Sequence, residues 1–400
     1  MKSGRGVNMS KRASALTFLA LALSVGLANI GPATTSAAGA VAVRGEIGFF
    51  YDALAPYGSW VDVATYGDVW VPRVPTWWRP YSDGHWVFTD DGWCWVDDEP
   101  WGWATFHYGR WYFDDDYGWA WVPGTVWAPA WVAWRHGDGF IGWAPLPPQI
   151  GWRAGFGLAF AGGDFDAVIA PHFWCFVDER HFGAPAVRGY LAPPARNVTF
   201  VRATRNITSY TVVNNRVFNR GVDVRQIERI TGRAVPRMRI VDRNVPGAGR
   251  VVGHELNVYR PSVTAGAARW RGPQVQPPIN RGVVMRPRAV ERPHTESLRR
   301  FDTHWNQERT RLQQLHSQDA AKTFKGVSPN ELRLRHEAER QAFAREQQRE
   351  RRVLDRRLQP NTGAHVSKGK VVEHRVPQNT GANAKGSKGK GKGGGGTGHD

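Results

Sequence analysis

The sequence has only two cysteines among 400 residues, and it lacks the motifs that metal-binding proteins and enzymes usually contain. No two histidines are spaced to hold zinc, so we predict no metal site. No Gly-x-Ser-x-Gly turn occurs, and no phosphate-binding glycine loop lies between a predicted strand and a helix. We therefore predict no catalytic residue and no cofactor, and we expect a protein that is not an enzyme.

The first forty residues (1–40) are typical of a secretory signal peptide. Four basic residues and no acidic residue precede an apolar run at 13–30. Small residues at 38–40 fit a cleavage site. An uncleaved membrane anchor is the alternative, because a run of this length can just span a bilayer. No cysteine adjoins the site, which argues against a lipoprotein. We predict export to the periplasm or the extracellular space, with only transient membrane contact through the signal.

Charge and aromatic residues divide the remaining chain into two unlike parts. Residues 41–190 contain 8 Lys and Arg against 18 Asp and Glu, together with 38 of the 48 aromatic residues. Residues 191–400 contain 41 basic against 17 acidic residues. We predict an acidic, aromatic domain at 41–190 and a basic, aromatic-poor region after it, and we expect the two to be different objects.

Short aromatic hairpins repeat within this domain at a spacing of about 25 residues. Segments 84–96 and 109–122 align, and each has an aromatic strand, an Asp/Gly turn and a second aromatic strand. Weaker relatives occur at 58–61 and 131–143. A repeat of this length buries its apolar face against its neighbours. The predicted fold class is therefore mainly β, with repeated antiparallel aromatic hairpins.

Tryptophan is abundant in this domain, with 18 of 20 indoles between residues 60 and 174. One interpretation is a core of stacked indoles, whose ring N–H groups need acceptors. The other adds an exposed aromatic platform that binds the sugar rings of a cell-wall or surface glycan. Alternation along each strand places pairs of these rings on one face. The candidate ligand-binding residues are Trp86, Trp93, Trp95, Trp111, Trp119 and Trp121.

Three sets of polar residues are further candidates. Cys94 and Cys175 occur in matching contexts in an exported chain, so we predict a disulfide, with two buried free thiols as the alternative. His107 and Arg110 are the most suggestive polar pair, with a hydrogen-bonded spacer in a strand as the alternative. Acidic clusters at 90–91, 97–99 and 114–116 are candidates for glycosidase carboxylates, calcium ligands or turn residues, and their turn positions favour the last.

The motif string of the domain is long. It includes Tyr57-Gly-x-Trp60, Trp78-Arg-Pro-Tyr81, His107-Tyr-Gly-Arg-Trp111, Trp127-Ala-Pro-Ala-Trp131-Val-x-Trp134-Arg135 and Gly142-Trp-Ala-Pro-Leu-Pro-Pro148, with later elements at 219–222 and 227–236. Over about residues 50–240, it resembles a family of uncharacterised exported bacterial proteins with a domain of unknown function. The resemblance implies export and a β fold, and no established activity. Cys94 departs from the aromatic residue expected there, so a disulfide would be particular to this chain.

The basic region divides into three predicted segments. Residues 191–290 form a mixed extension or satellite, with a helix at 222–230 that Gly232 ends and strands at 237–242 and 256–259. Residues 291–359 form a charged helical hairpin, in which an apolar stripe favours either self-association or a solitary helix pair. Ser328 is the predicted N-cap of its second helix. Residues 360–400 form a disordered Lys/Gly-rich tail.

These features predict an exported, non-enzymatic envelope or matrix protein. Its aromatic module would bind glycan or act as a scaffold, while its tail would bind anionic polymers without specific nucleic-acid recognition. One alternative is a purely structural or assembly protein with every tryptophan in the core. The second alternative is a secreted glycoside hydrolase, which requires a pair of carboxylates in a cleft rather than on turns.

Overall fold

The structure is a computed structural model that describes residues 44–46, 48–160, 165–214, 216–264, 288–321, 327–359 and 371–372. All of them belong to one compact unit, residues 40–400. The predicted signal peptide lies outside the described residues. So does the predicted tail, except for a two-residue strand.

Within these residues there are twenty strands and six α-helices, with five short 3-10 helices between Asp166 and Arg196. The strands are β1 (Arg44–Glu46), β2 (Gly58–Val63), β3 (Gly67–Pro72), β4 (Gly84–Thr89), β5 (Gly92–Asp97), β6 (Arg110–Asp114), β7 (Gly118–Val122), β8 (Val132–Gly137), β9 (Phe140–Pro145), β10 (Gly151–Arg153), β11 (Gly157–Ala159), β12 (Cys175–Asp178), β13 (Arg205–Asn206), β14 (Tyr210–Val213), β15 (Arg216–Asn219), β16 (Arg239–Asp242), β17 (Arg250–Val252), β18 (Glu255–Val258), β19 (Ser262–Thr264) and β20 (Val371–Val372). The α-helices are α1 (Gly48–Leu54), α2 (Gly102–Thr105), α3 (Asn197–Ala203), α4 (Val224–Thr231), α5 (Arg288–Ala321) and α6 (Pro329–Leu358).

Four antiparallel hairpins form the centre of the fold: β2–β3, β4–β5, β6–β7 and β8–β9. Three larger sheets contain them, with strand orders β20-β2-β3-β7-β6, β14-β15-β5-β4 and β12-β9-β8-β13. Smaller sheets are β16-β18-β17, β10-β11 and the parallel pair β1-β19. The predicted fold class, mainly β with antiparallel aromatic hairpins and later helices, is confirmed.

Each central hairpin places two tryptophans directly opposite one another across its strands. The pairs are Trp60 with Trp70, Trp86 with Trp95, Trp111 with Trp121, and Trp134 with Trp143. Directly opposed aromatic side chains on one face of a sheet stabilise the pairing of its strands. All eight indoles lie in one buried cluster, which we call the aromatic core. The repeat in the sequence is therefore a repeat of cross-strand indole pairs.

A glycine two residues before the first tryptophan makes each pair possible in three of the hairpins. A Cβ atom built on Gly84 would lie 2.3 Å from the Val96 carbonyl oxygen and 2.8 Å from the Trp95 ring. Gly58 and Gly109 meet the equivalent carbonyl and indole in their own hairpins. Only a residue without a Cβ allows so close an approach. The Gly-x-Trp motif is thus a packing requirement.

Residues 191–264 add strands to two of the central sheets and also form the separate sheet β16-β18-β17. Strand β13 extends the sheet of β8 and β9, and β15 pairs with β5. Asn219 accepts the Trp134 indole N–H at 2.8 Å and donates to the Trp93 carbonyl at 3.1 Å. Gly221 touches both rings, and a Cβ there would lie 2.7 Å from Trp93. The motif at 219–222 is therefore part of the aromatic core.

The predicted disulfide between Cys94 and Cys175 is wrong, because both cysteines are free thiols. Cys175 lies in the aromatic core. Cys94 is on the opposite face of β5, in a separate cluster in which Met238 and residues of the β16-β18-β17 sheet, such as Leu256, cover β4 and β5. The two side chains thus lie in different clusters. Burial raises the pKa of both thiols, which makes them poorly reactive.

Helices α5 and α6 form the helical hairpin. Both pack on the strands and short helices of the described residues between 44 and 264, which we call the β module. The Ser328 hydroxyl accepts the Glu331 N–H at 3.1 Å, which confirms the predicted N-cap of α6. Gly232 ends α4 in a left-handed conformation, as predicted. Within the apolar stripe of α5, Phe301, Trp305 and Leu312 are buried. No helix in the described residues is long and apolar enough to cross a membrane.

Candidate functional site at the helical hairpin

The six tryptophans predicted to bind ligand are all inside the protein. Trp86, Trp93, Trp95, Trp111, Trp119 and Trp121 belong to the aromatic core, and none is more than 4% exposed. This corrects the expectation that they form an exposed platform, because no ring face is open to a ligand. The hairpins bury both members of each indole pair by packing their faces against one another.

Most indoles of the aromatic core satisfy their N–H groups within the fold. Trp111 and Trp121 donate to the carbonyls of Thr105 and Tyr108 at 2.9 and 2.8 Å. Trp95 donates at 3.0 Å to the buried Asp97 carboxylate. A buried indole N–H that has an acceptor avoids the cost of an unpaired polar group. These partners support the interpretation of the tryptophans as core.

His107 and Arg110 are not brought together as a polar pair. His107 Nδ1 lies 2.9 Å from the Ala128 carbonyl oxygen, and burial lowers its pKa to about 4. Arg110 donates to the Ile150 carbonyl at 2.9 Å, and its guanidinium lies 3.8 Å from the centre of the Trp131 ring. Each side chain links separate chain segments. Their arrangement fits the structural alternative rather than a reactive pair.

The acidic clusters of the hairpin ends serve local structure and ion pairs. The Asp114 carboxylate accepts the backbone N–H groups of Asp116 and Tyr117, which fixes the β6–β7 turn. Asp91 is buried between Arg216 at 3.2 Å and Arg260 at 3.6 Å. The described residues contain no group of three or more His, Cys, Asp or Glu side chains arranged to hold a metal ion.

A cavity of about 120 Å³ lies between the helical hairpin and the β module. One wall comes from Trp77, Trp78 and Arg79 and from residues 188–195, while α5 and α6 form the other. Three glutamates of the hairpin, Glu308, Glu346 and Glu350, line it together with Trp305 and Phe343. We call this space the hairpin cavity, and it is the candidate functional site.

Glu350 is the most perturbed group of the hairpin cavity. Removal from water raises its pKa to about 8, although Arg79 and Arg349 oppose that rise and Glu308 adds to it. Arg79 is itself buried and donates to the Trp174 carbonyl at 2.9 Å. At neutral pH the Glu350 carboxyl is therefore mostly protonated. A perturbed carboxyl in a cavity is a common property of functional sites.

These glutamates do not stand out in the sequence, because α6 has the composition of a solvated, charged helix. A signal was nevertheless present in their spacing. Phe343, Glu346, Glu350 and Val353 follow one another at steps of three, four and three, so the glutamates occupy positions of an apolar stripe. Both glutamates and Val353 are buried.

An exposed set of arginines is the second feature of chemical interest. Residues 191–264 contain thirteen arginines, no lysine and four acidic residues. Some of the arginines pair with hairpin carboxylates, as Arg237 does with Asp90 at 2.8 Å. Others are exposed and form no ion pair with any carboxylate of the described residues. This set, the arginine surface, comprises Arg202, Arg205, Arg220, Arg225, Arg229, Arg233 and Arg250.

The fold and these sites define a β module with an indole core, exposed arginines and a docked helical hairpin. Residues 51–150, which run from within α1 to just before β10, match the model of a family of unknown function, DUF6600. The match lies within the part of the chain that carries the motif resemblance described above. No curated protein and no solved structure matches this chain.

Proposed function

We propose that this chain is an exported, non-enzymatic scaffold of the bacterial envelope or matrix, and that its arginine surface and tail hold anionic polymers. The observation that supports the proposal most is the contrast between buried indoles and exposed arginines without carboxylate partners. Guanidinium groups bind phosphate, sulfate and carboxylate through paired hydrogen bonds. An excess of unpaired arginines attracts such polymers and makes their binding depend on salt.

The test measures binding of polyphosphate and dextran sulfate to the mature chain as the salt concentration rises. Removal of residues 360–400 takes away the lysines of the tail and should leave a weaker, still salt-dependent affinity. In that truncated chain, the triple change Arg225→Glu, Arg229→Glu and Arg233→Glu should reduce affinity at least tenfold and flatten the salt dependence.

A matched control places the same charge change on the helical hairpin. Arg299→Glu, Arg333→Glu and Arg340→Glu alter exposed arginines, two of which already pair with neighbouring glutamates. If the control triple weakens binding as much as the first triple, net charge alone explains the affinity and the arginine surface has no special role. Detection of a mature N-terminus near Val41 would test export separately.

A secreted glycoside hydrolase is the second candidate, and the glutamates of the hairpin cavity favour it. Such enzymes use one carboxyl with a raised pKa beside a second that is ionised. The pKa of Glu350 is raised by burial, and Glu308 lines the same cavity. Release of nitrophenol from aryl glycosides by the native chain, and its loss in Glu308→Gln, would establish this candidate over the scaffold.

A further inference from the structure

The tip of the β10–β11 hairpin exposes an aromatic side chain. Phe156 is 89% exposed, whereas every tryptophan of the described residues is buried or half-buried. Arg153 and Gly157 are directly opposed across the hairpin, so Phe156 belongs to the short loop between them. Gly155 and Gly157 adopt positive φ angles of 78° and 92°, which glycine allows and which form the turn. The turn therefore needs its glycines, and it does not need a phenylalanine.

A second hairpin with an apolar tip lies beside the first. A Cβ atom built on Gly157 would lie 3.6 Å from the Tyr210 carbonyl oxygen, so β11 adjoins β14. Val212 and Val213, at the end of β14, are 41% and 45% exposed. Single exposed apolar residues are common on proteins, but several that adjoin one another indicate a contact surface. We call Phe156, Val212 and Val213 the apolar tips.

The two hairpins share one buried cluster as their base. Trp152 of β10 packs against this cluster, and Tyr210 of β14 belongs to it. The Trp131 ring joins them, because its centre lies 5.5 Å from that of Trp152 and 5.7 Å from that of Tyr210. The apolar tips are therefore exposed ends of well-packed hairpins.

The charge around the apolar tips is positive. Segments 151–160 and 205–220 contain four arginines and no acidic residue. Arg216 pairs with Asp91 at 3.2 Å. The three that are exposed are Arg153, Arg205 and Arg220. Exposed apolar groups beside arginines are the combination that proteins use at the surface of a bilayer with anionic lipids.

A lipid surface fits this combination better than a protein or a soluble polymer does. A protein interface needs a broad area of complementary shape, but these tips project. A Cβ atom built on Gly155, in the loop, would meet no atom within 4 Å. A soluble anionic polymer would bind the arginines and leave Phe156 in water. A bilayer accepts a projecting apolar side chain without any matching shape, and its anionic headgroups attract the arginines.

We propose that the apolar tips insert into the interfacial region of a bilayer that contains anionic lipids, while Arg153 and the neighbouring arginines bind the headgroup phosphates. This is a peripheral contact made by the folded β module, and the sequence alone did not predict it. It goes beyond the proposed polymer binding, because it requires the apolar side chains as well as the arginines.

The test places an environment-sensitive dye at one apolar tip of the full mature chain. Phe156→Cys carries the dye, since Cys94 and Cys175 are buried and their raised pKa values make them poorly reactive. Val252→Cys is the matched control, because Val252 is 64% exposed on the separate sheet β16-β18-β17.

The two labelled chains are compared with vesicles of phosphatidylglycerol and phosphatidylcholine. The emission of the dye at position 156 should shift to the blue, and brominated lipid should quench it. The dye at position 252 should remain in water. Polyphosphate at the same phosphate concentration should shift neither dye, which separates a lipid headgroup from a free phosphate as the ligand.

Co-sedimentation of unlabelled variants with the same vesicles measures what the apolar tips contribute. Phe156→Ser should weaken binding about tenfold, as expected when the burial of one phenylalanine is lost. Val252→Ser should leave binding unchanged, and near-UV circular dichroism should stay native in both variants because both side chains are exposed. Phe156→Ser should not alter the binding of polyphosphate, so this proposal and the proposed function can fail separately.

Four results would overturn the proposal. The first is a dye at position 156 that stays in water when vesicles are added. The second is an equal affinity of Phe156→Ser and Val252→Ser for the vesicles. The third is a blue shift with polyphosphate as large as that with vesicles. The fourth is a blue shift that grows with protein concentration in the absence of lipid, which would identify a second copy of the chain as the partner.

Discussion

The aromatic core and the interface under the helical hairpin are both buried, but they are built from different kinds of side chain. In the aromatic core, indoles pack on indoles, and their N–H groups bond to carbonyl oxygens such as that of Tyr81, which accepts Trp143 at 2.8 Å. Under the helical hairpin, Asp319, Glu339, Glu346 and Glu350 are buried instead. The first region contains few groups that titrate, and the second is full of them.

The ion pairs of the hairpin interface connect it to the β module. Arg196 beside α3 binds Asp319 at 2.9 Å and approaches Glu339 at 3.6 Å. The Thr199 hydroxyl donates to Glu339, and Arg349 of α6 donates to His172 at 2.6 Å. Buried ion pairs add little net stability, because desolvation offsets their attraction. We therefore expect the helical hairpin to be held more weakly than the core, and in a pH-dependent way.

The largest expected effect separates the two regions by mutation. Trp143→Ala should lower the free energy of unfolding of the β module by about 3–5 kcal/mol, since Trp143 is fully buried. Trp305→Ala should undock the helical hairpin and leave the unfolding midpoint of the β module almost unchanged. Urea unfolding monitored by circular dichroism measures the stability of each variant. Amide hydrogen exchange of α6 measures whether the helical hairpin stays docked. An equal loss of β-module stability in both variants would show that the two regions unfold as one unit, which would contradict this prediction.

The second effect is a weakening of the docking of the helical hairpin as the pH rises. The pKa of Glu350 is raised from 4.5 to about 8 by burial, so docking is strongest below pH 4.5 as far as this group is concerned and weakens until about pH 8. Glu350→Gln removes the titration. It should stabilise docking on the order of 3 kcal/mol at pH 8 and not at all near pH 4.5.

The control for this variant is Glu337→Gln on the same helix. Glu337 is bonded to Arg340, and that bond lowers its pKa. Replacing Glu337 should therefore not stabilise docking at pH 8. A gain of similar size from both variants would show that the overall charge of α6, rather than the burial of Glu350, governs docking.

A smaller weakening of the docking of the helical hairpin is expected as the pH falls. Burial lowers the pKa of His304 to about 4, so its contribution to docking is present above pH 6.5 and is lost as the pH falls towards 4. His304→Phe should keep the stacking on Trp77, now at 4.6 Å, and reduce the acid loss by about 1 kcal/mol after allowance for partial exposure. Exchange protection of α5 at pH 5 and pH 7 measures this, and an unchanged acid loss would contradict it.

The smallest expected effect is that of reducing agent on the core. Because Cys94 and Cys175 lie in separate clusters, the denatured, unreduced chain should take up two equivalents of an alkylating reagent. The melting temperature should be the same with and without a reductant. A single disulfide-linked species in mass spectrometry would contradict the structure.

Local pattern predicted much of the fold. The Asp/Gly turns and alternating aromatics identified the hairpins, and Ser328 and Gly232 identified helix ends, because these signals act within a few residues. Alternation also placed Cys94 and Trp95 on opposite faces. It could not show that both faces of β5 would be covered, since the second layer comes from residues 239–258, far along the chain. The exposure of the tryptophans and the place of Cys94 were unpredictable for that reason.

The candidate site was harder to predict than the fold. Its walls come from 77–79, 188–195 and two helices beyond residue 290, so no local motif contains it. The division into acidic and basic parts described composition, and it did not predict that ion pairs join the two parts. Asp90 and Asp91 of one part bind Arg237, Arg216 and Arg260 of the other.

Hydrogen exchange of the full mature chain at pH 6.5 and pH 9, corrected for the intrinsic effect of pH, tests the contrast between the two regions most directly. We expect strands β4 to β9 to keep their protection at both values, while α5 and α6 lose protection at pH 9 and regain it in Glu350→Gln. Equal loss in the strands and the helices, or helices that stay protected at pH 9, would contradict it.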